Sequence, residues 1–290
     1  MRKLLSYLLL AFLWLLHFLP LSILRRLGHG LGLLLLVLGR ERRRVVRINL
    51  RLCFPEWDTA RRERVLRLHF ILFAQAFLDR TLLWWASRSR LGRCIRLVGR
   101  ENLERGDGLP TLLLAPHFVG LDAGGTAITM ITRLTSIYSR QKNPVFDAMF
   151  LAGRQRFNGA LLLSRQEGVR RALKAMKRGM PFYYLPDLDF GRRESIFVPF
   201  FGVPAATITG VSRLARATGA RVVPCVSRLA RTGYVVELLP PWENFPGESV
   251  EADTAFVNRF IESQVRICPA QYHWLHKRFK TRPRGEMKIY

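Results

Sequence analysis

The sequence predicts an α/β protein: a mostly parallel central sheet with flanking helices, preceded by an N-terminal membrane-anchoring helix. Three observations lead there. Short apolar runs alternate with helical stretches over residues 97–290, the pattern of strands joined by crossover helices. Residues 60–89 carry Leu66, Phe70, Phe73 and Phe77 at helical spacing. Residues 4–24 are almost wholly apolar between two basic pairs, Arg2-Lys3 and Arg25-Arg26.

The N-terminal run approaches the roughly 20 residues a helix needs to span a bilayer. Pro20 is expected to bend or end that helix, and a second run, 31–38, is too short to span. A cleaved signal peptide fits poorly, because no small-x-small site follows and the run exceeds an ordinary h-region. A single transmembrane anchor and a bent helical pair lying in the interface both remain. A buried core helix is the bland alternative, against which the basic flanks argue. Arg40, Arg42, Arg43 and Arg44 suit anionic headgroups, and positive-inside bias puts them and the following body on the cytoplasmic side. The expected organisation is an anchor over 1–39 and a catalytic domain over 40–290, with a helical lead-in over 40–96 and an α/β core over 97–290.

Within the lead-in, Arg61, Arg62, Arg64 and Arg67 crowd the first half of the helix over 60–89. Trp84 and Trp85 near its end suit either a membrane interface or a packed core. In the core, 111–115 is a buried strand that stops at Pro116, and 119–134 is helix-like. Residues 136–138 are a further strand, 168–179 a strongly basic helix, and 180–185 the strand after it. A helix over 209–218 precedes a hairpin of 221–227 and 234–239 about Thr232-Gly233. A last helix covers 253–267 and stops before Pro269.

Composition bounds the partners. Forty-nine per cent of the 290 residues are apolar, enough for a sizeable core. Against 21 Asp+Glu stand 47 Lys+Arg, a formal charge of +26 that calls for an anionic partner, nucleic acid or an anionic lipid surface. The chain shows no nucleic-acid module, and an anchor is awkward for that reading, so no nucleic acid is expected. Cys53, Cys94, Cys225 and Cys268 form no CxxC pair and read as free thiols of a reducing compartment. His273 and His276 flank Trp274, yet no acidic residue completes a zinc pattern. No metal and no cofactor are expected.

The chemistry gathers where the first core strand ends. His117 and Asp122 stand in H-x4-D spacing after Pro116. Five residues apart on one helix would put them about 140° apart, so they can meet only if His117 precedes the helix and Asp122 lies in its first turns. Pro116 and Gly120 make that break. A carboxylate holding one imidazole nitrogen leaves the other as a base for a substrate hydroxyl, the orienting logic of a catalytic triad without its own nucleophile. The bland alternative for His117 is a buried histidine satisfied by backbone.

Arg154 and Arg156 precede a turn at Asn158-Gly159, and Arg165 follows the apolar run 160–163. Their planar forks suit phosphate, and a solvated basic face is the alternative. Asp187 and Asp189 follow the strand over 180–185, at the sheet edge expected for His117, where they could order an arginine or hold an acceptor hydroxyl. The basic helix over 168–179 could dock an acidic carrier or anionic headgroups, or be only a solvated face.

Residues 115–122 (APHFVGLD) resemble the H-x4-[D/E] motif of glycerolipid acyltransferases. Four further segments are similar to the bacterial lipid A biosynthesis acyltransferases, the late lauroyl and myristoyl transferases. These are NLRLCFPE at 49–56, YSRQKNPVFD at 138–147, PDLDFGRRESIFVPFF at 186–201 and WLHKRFKTRPRGE at 274–286. They run in that family's order over most of the chain. The resemblance implies an inner-membrane enzyme facing the cytoplasm. It also implies an acyl donor carried on acyl carrier protein and an acceptor hydroxyl on a phosphorylated glucosamine lipid, a lipid A precursor. In that scheme His117 is the general base and Asp122 its partner. Asp122 departs from the glutamate of the best-known members, which bears on the acceptor more than on the reaction. A lysophospholipid or aminolipid acceptor is the rival within the same chemistry, and a basic, membrane-anchored lipid-binding scaffold is the rival outside it. The scaffold would tolerate His117→Ala.

Overall fold

The computed structural model describes residues 2–104, 108–164 and 169–290. The N-terminal apolar region is two helices, α1 (Arg2–Leu16) and α2 (Leu21–Leu38), not one helix through residue 24. Pro20 stands at the N-cap of α2, where a residue without an N–H is tolerated, and the preceding turn redirects the chain. Among the described residues α2 is the one helix long and apolar enough to cross a membrane.

Both helices pack along α4 (Thr59–Trp85), after the short amphipathic α3 (Arg40–Cys53). The α4 start is set by Asp58, whose carboxylate accepts from Arg61 N–H at 2.6 Å. Gly28 and Gly32 let α2 touch the backbone of α4. A Cβ at Gly28 would lie 2.7 Å from Gln75 Cα, and one at Gly32 2.5 Å from Ile71 Cα. Spacing of small residues four apart is what lets helix backbones approach this closely. Arg25 then reaches through the contact to buried Asp79 at 2.9 Å, which also accepts from Tyr234 Oη–H at 2.7 Å. The outer faces keep Leu4, Leu8, Phe12 and Leu15 of α1, and Leu27, Leu34, Val37 and Leu38 of α2, exposed.

The body alternates strands and helices as expected. After α5 (Arg88–Cys94) come β1 (Ile95–Val98), α6 (Glu101–Glu104), β2 (Thr111–Leu114), α7 (Leu121–Ile131), β3 (Leu134–Tyr138), α8 (Pro144–Arg154), β4 (Ala160–Ser164), α9 (Arg170–Met176) and β5 (Phe182–Tyr184). A separate antiparallel pair, β6 (Ser195–Phe200) and β7 (Val203–Ile208), precedes α10 (Gly210–Thr218), β8 (Arg221–Ala230), β9 (Gly233–Leu238) and α11 (Val250–Ile267). The seven-stranded sheet runs β1-β9-β8-β2-β5-β3-β4. Every neighbouring pair is parallel except the β8–β9 hairpin.

In β2 the period of two is plain. Leu112 and Leu114 join the core on one face, with Phe182, Val222 and the α11 residues Val257, Ile261 and Val265. Leu113 and Ala115 join the core on the other, with Tyr183, Val223 and the α7 residues Ala123, Ala127 and Ile128. With helices on both faces, central strands are apolar throughout, so β2 reads as an unbroken run.

Candidate active site

Two neighbouring strands build the site. β2 and β5 are parallel, with Leu112 opposite Phe182, Leu113 opposite Tyr183 and Leu114 opposite Tyr184. Ala115 N–H continues the ladder to Tyr184 O at 2.9 Å. Each strand then meets a proline, Pro116 or Pro186, which has no N–H to donate and ends the pairing. The next residue on each chain is polar: His117 on one, Asp187 on the other. Equal offsets from a shared register bring the two together.

Their contact is two-pronged. His117 Nδ1 lies 2.7 Å from Asp187 Oδ1, and His117 backbone N–H donates to Asp187 Oδ2 at 2.8 Å. The Asp187 side chain is wholly buried, whereas that of His117 is 18% exposed. Burial pushes the Asp187 carboxyl up, but the facing His117 and, further off, Arg278 outweigh it and hold the group below its ordinary value. A permanent carboxylate at Nδ1 fixes the N–H there and leaves Nε2 as an acceptor. The C-terminal segment braces this turn. Val119 N–H donates to Gln271 O at 2.8 Å and His273 N–H to His117 O at 2.9 Å.

The carboxylate that meets the imidazole is therefore Asp187, and the expected His117–Asp122 hydrogen bond is corrected accordingly. His117 does precede α7 and Asp122 does sit in its first turn. Two arginines claim that carboxylate instead. Arg80 Nε donates to Asp122 Oδ2 at 2.6 Å, and Arg154 donates to Oδ1 from Nη2 at 2.8 Å and from Nε at 3.3 Å. Burial would raise the Asp122 carboxyl, yet the two guanidinium charges pull it far below the carboxylate range. Arg80 comes from α4, a helix distant in sequence, and the spacing of residues gave no sign of it.

The other expected ligands separate. Arg156 donates to Leu83 O at 2.7 Å and Ala86 O at 2.6 Å, closing the C-terminal end of α4, where free carbonyls attract a cation. Both terminal nitrogens of Arg156 thus serve as a cap on α4. Asp189 accepts from Gly191 N–H at 3.0 Å and from Thr281 N–H and Oγ–H at 2.7 and 2.8 Å. Its own amide donates to His276 Nε2 at 2.9 Å. Asp189 thus ties the turn after β5 to the C-terminal segment. Arg165 lies outside the described residues. Among the described residues no cluster of three His, Cys, Asp or Glu could hold a metal.

His117, Asp122, Arg80, Arg154 and His273 line one cavity of about 540 Å³. Its remaining wall is largely apolar: Phe73 and Phe77 of α4, Phe118 and Leu121, and Leu185, Leu188 and Phe190 beyond β5. Behind the Asp122–Arg154 pair a narrower pocket of about 70 Å³ runs between α7 and the strands β3 and β4. Gly125, Thr129, Leu134 and Leu162 line it, and it shares Leu121, Ile137 and Leu185 with the main cavity. α9 begins beside the cavity, with Val169 in its wall, while Arg171, Lys174 and Arg178 line a solvent-facing pocket with Arg133, which immediately precedes β3.

Residues 1–281 match the family described as bacterial lipid A biosynthesis acyltransferase. The chain is 35% identical to the lipid A biosynthesis lauroyltransferase of Escherichia coli (strain K12) over 289 residues, covering 98% of this chain and 94% of that protein. Identity to the palmitoleoyltransferase of the same organism is 31% over 286 residues, covering 97% and 92%. For its myristoyltransferase the figures are 32% over 279 residues, covering 92% and 83%. The crystal structure of the 1-acyl-sn-glycerophosphate (LPA) acyltransferase PlsC from Thermotoga maritima aligns with a TM-score of 0.38 and 15% identity, over 86% of this chain and 99% of that one.

Proposed function

This chain belongs to the bacterial lipid A biosynthesis acyltransferase family, and from that premise we propose that it moves a fatty acyl chain from acyl carrier protein to a hydroxyl of a lipid A precursor, with His117 as general base. The observation that carries the reading is the His117–Asp187 pair opening on a cavity with an aromatic and aliphatic wall, edged by two guanidiniums.

The steps follow from that arrangement. His117 Nε2 takes the proton of the acceptor hydroxyl as its oxygen attacks the thioester carbon. Asp187 stabilises the imidazolium that forms. The tetrahedral intermediate collapses with cleavage of the C–S bond, and the imidazolium returns its proton to the leaving sulfur. Such general-base assistance is typically worth about 10²–10⁴-fold. Asp122 aligns Arg80 and Arg154, whose remaining N–H groups suit a phosphoryl group on the acceptor. The acyl chain occupies the apolar wall, with its end toward the narrow pocket, where each buried methylene adds about 0.8 kcal/mol.

The protein acts at the cytoplasmic face of the inner membrane. Its exposed α1 and α2 leucines lie in the interface, and Arg40, Arg42, Arg43 and Arg44 meet anionic headgroups. In this arrangement residues 1–39 are the anchor and 40–290 the catalytic domain. The test uses purified full-length protein, labelled acyl-acyl carrier protein and a phosphorylated glucosamine lipid. Transfer is expected, with His117→Ala abolishing it while vesicle binding persists. Transfer to a lysophospholipid alone would replace the acceptor, and an unaffected His117→Ala variant would sink the mechanism.

A further inference from the structure

A second imidazole faces the same cavity and the steps above do not use it. His273 lies beside His117, with ring centroids 6.2 Å apart. Its position is imposed by the backbone. His273 N–H donates to His117 O, and Phe118 forms a β-bridge with the adjacent Tyr272. On its other side the ring stacks on Phe73, at 6.0 Å between centroids. The ring is thus clamped between the catalytic histidine and an α4 aromatic, with no side-chain hydrogen bond among the described residues.

Burial, with the neighbouring His117, His69 and His276, drives the His273 imidazole down to about 3, so it is neutral at any working pH. A neutral imidazole always presents one N–H and one lone pair. His273 is half-buried in the cavity wall with Phe73, Phe77 and Phe118, so its free ring nitrogen meets whatever enters the cavity. The natural partner is an oxygen of the bound substrate. A hydroxyl has one proton to give and two lone pairs to offer. Its proton goes to His117 Nε2, which leaves the oxygen free to accept.

We propose that His273 is a substrate contact, donating an N–H to the oxygen of the acceptor hydroxyl whose proton His117 removes. Two imidazoles then hold one hydroxyl, one as base and one as guide. The guide fixes which lone pair points at the thioester carbon. This inference rests on the acyl-transfer reading and names a further residue for it.

The experiment compares wild type with His273→Phe, His273→Asn and His273→Gln, using acyl-acyl carrier protein and the phosphorylated glucosamine lipid. Phenylalanine keeps the stack on Phe73 and removes the N–H. It is expected to raise the acceptor KM and lower kcat, together by about tenfold or more in kcat/KM, with the donor KM unchanged. One of the two amides, whichever places an N–H where the ring nitrogen was, is expected to restore much of the loss. Wild-type KM and kcat in His273→Phe would overturn the contact and leave acyl transfer standing. So would a loss shared equally by donor and acceptor KM that neither amide repairs. No transfer by the wild type, under conditions that bind both substrates, would overturn both readings.

Discussion

Asp187 accepts two hydrogen bonds from the single residue His117, one from the ring and one from the backbone amide. The carboxylate therefore fixes the position of the imidazole as well as its tautomer. Asp187→Asn keeps the shape but sets an NH₂ or a neutral oxygen against Nδ1. We expect kcat to fall by about 10²–10⁴-fold with little change in KM, measured by single-turnover acyl transfer. Asp122→Asn is expected to act chiefly on the acceptor KM, because its contacts are Arg80 and Arg154. If the two variants swap these phenotypes, Asp122 is the catalytic carboxylate after all.

Removing Asp122 altogether leaves two guanidiniums facing one cavity. Both are partly exposed, 27% and 38%, so the cost is tempered by solvent. Asp122→Ala is expected to destabilise by on the order of 2 kcal/mol. Arg80→Met added to it should recover part of that loss, since the like-charge repulsion goes with it. Urea midpoints of the two single variants and the double variant decide the matter.

Acid should loosen the C-terminal brace. Burial holds His69 and His276 down to about 4, and His273 to about 3, against an ordinary 6.5. The unfolded chain binds protons first as pH falls, so stability is full above about 6.5 and is lost progressively toward 4 and below. His276 is placed to show it, since its Nε2 accepts from Asp189 N–H and protonation ends that bond. We expect the urea midpoint to drop between pH 7 and 5, and His69→Phe to flatten the slope.

Chain length should respond to Gly125. A Cβ there meets nothing nearer than Tyr183 Cε1 at 4.0 Å, so a larger side chain grows into the narrow pocket. Gly125→Leu is expected to shift the preferred acyl chain to a shorter one, by mass spectrometry of the product. An unchanged product would place the chain end elsewhere.

Gly32 tests the anchor. Gly32→Leu forces α2 off Ile71, where even a Cβ lies at 2.5 Å. The expected cost is about 1–3 kcal/mol, with the thermal midpoint lowered and vesicle binding weakened.

The alternation of apolar strands and helices was legible because it is local: β2, β5, α10, the β8–β9 hairpin and α11 each announce themselves within a dozen residues. The α8 helix and the β6–β7 pair were not read. Pro144 at a helix start resembles a turn, and Pro199 and Pro204 obscure strands that lie outside the main sheet. The position of His117 is legible from its strand end. Its hydrogen-bond partner is set by the register of β2 on β5, which the five-residue spacing to Asp122 does not reflect. The signal was nonetheless present, in the matching Ala-Pro-His and Leu-Pro-Asp endings of two apolar runs. Arg80 carried no such mark, since only the packing of α4 across the sheet edge brings it to Asp122. Arg156 and Asp189 show the reverse case, polar residues near the site whose bonds serve the backbone.

Asn143, just past β3 at the cavity end of the sheet, donates to Ser6 Oγ on α1 at 2.8 Å. The exposed apolar side of α1 therefore begins beside the loop after β3, whose residues Ile137 and Tyr138 line the cavity. With α1 lying in the interface as proposed above, an amphiphile would have a two-dimensional route: it would slide sideways from its leaflet to the cavity with its tails never meeting bulk water, and the product would return along the same corridor.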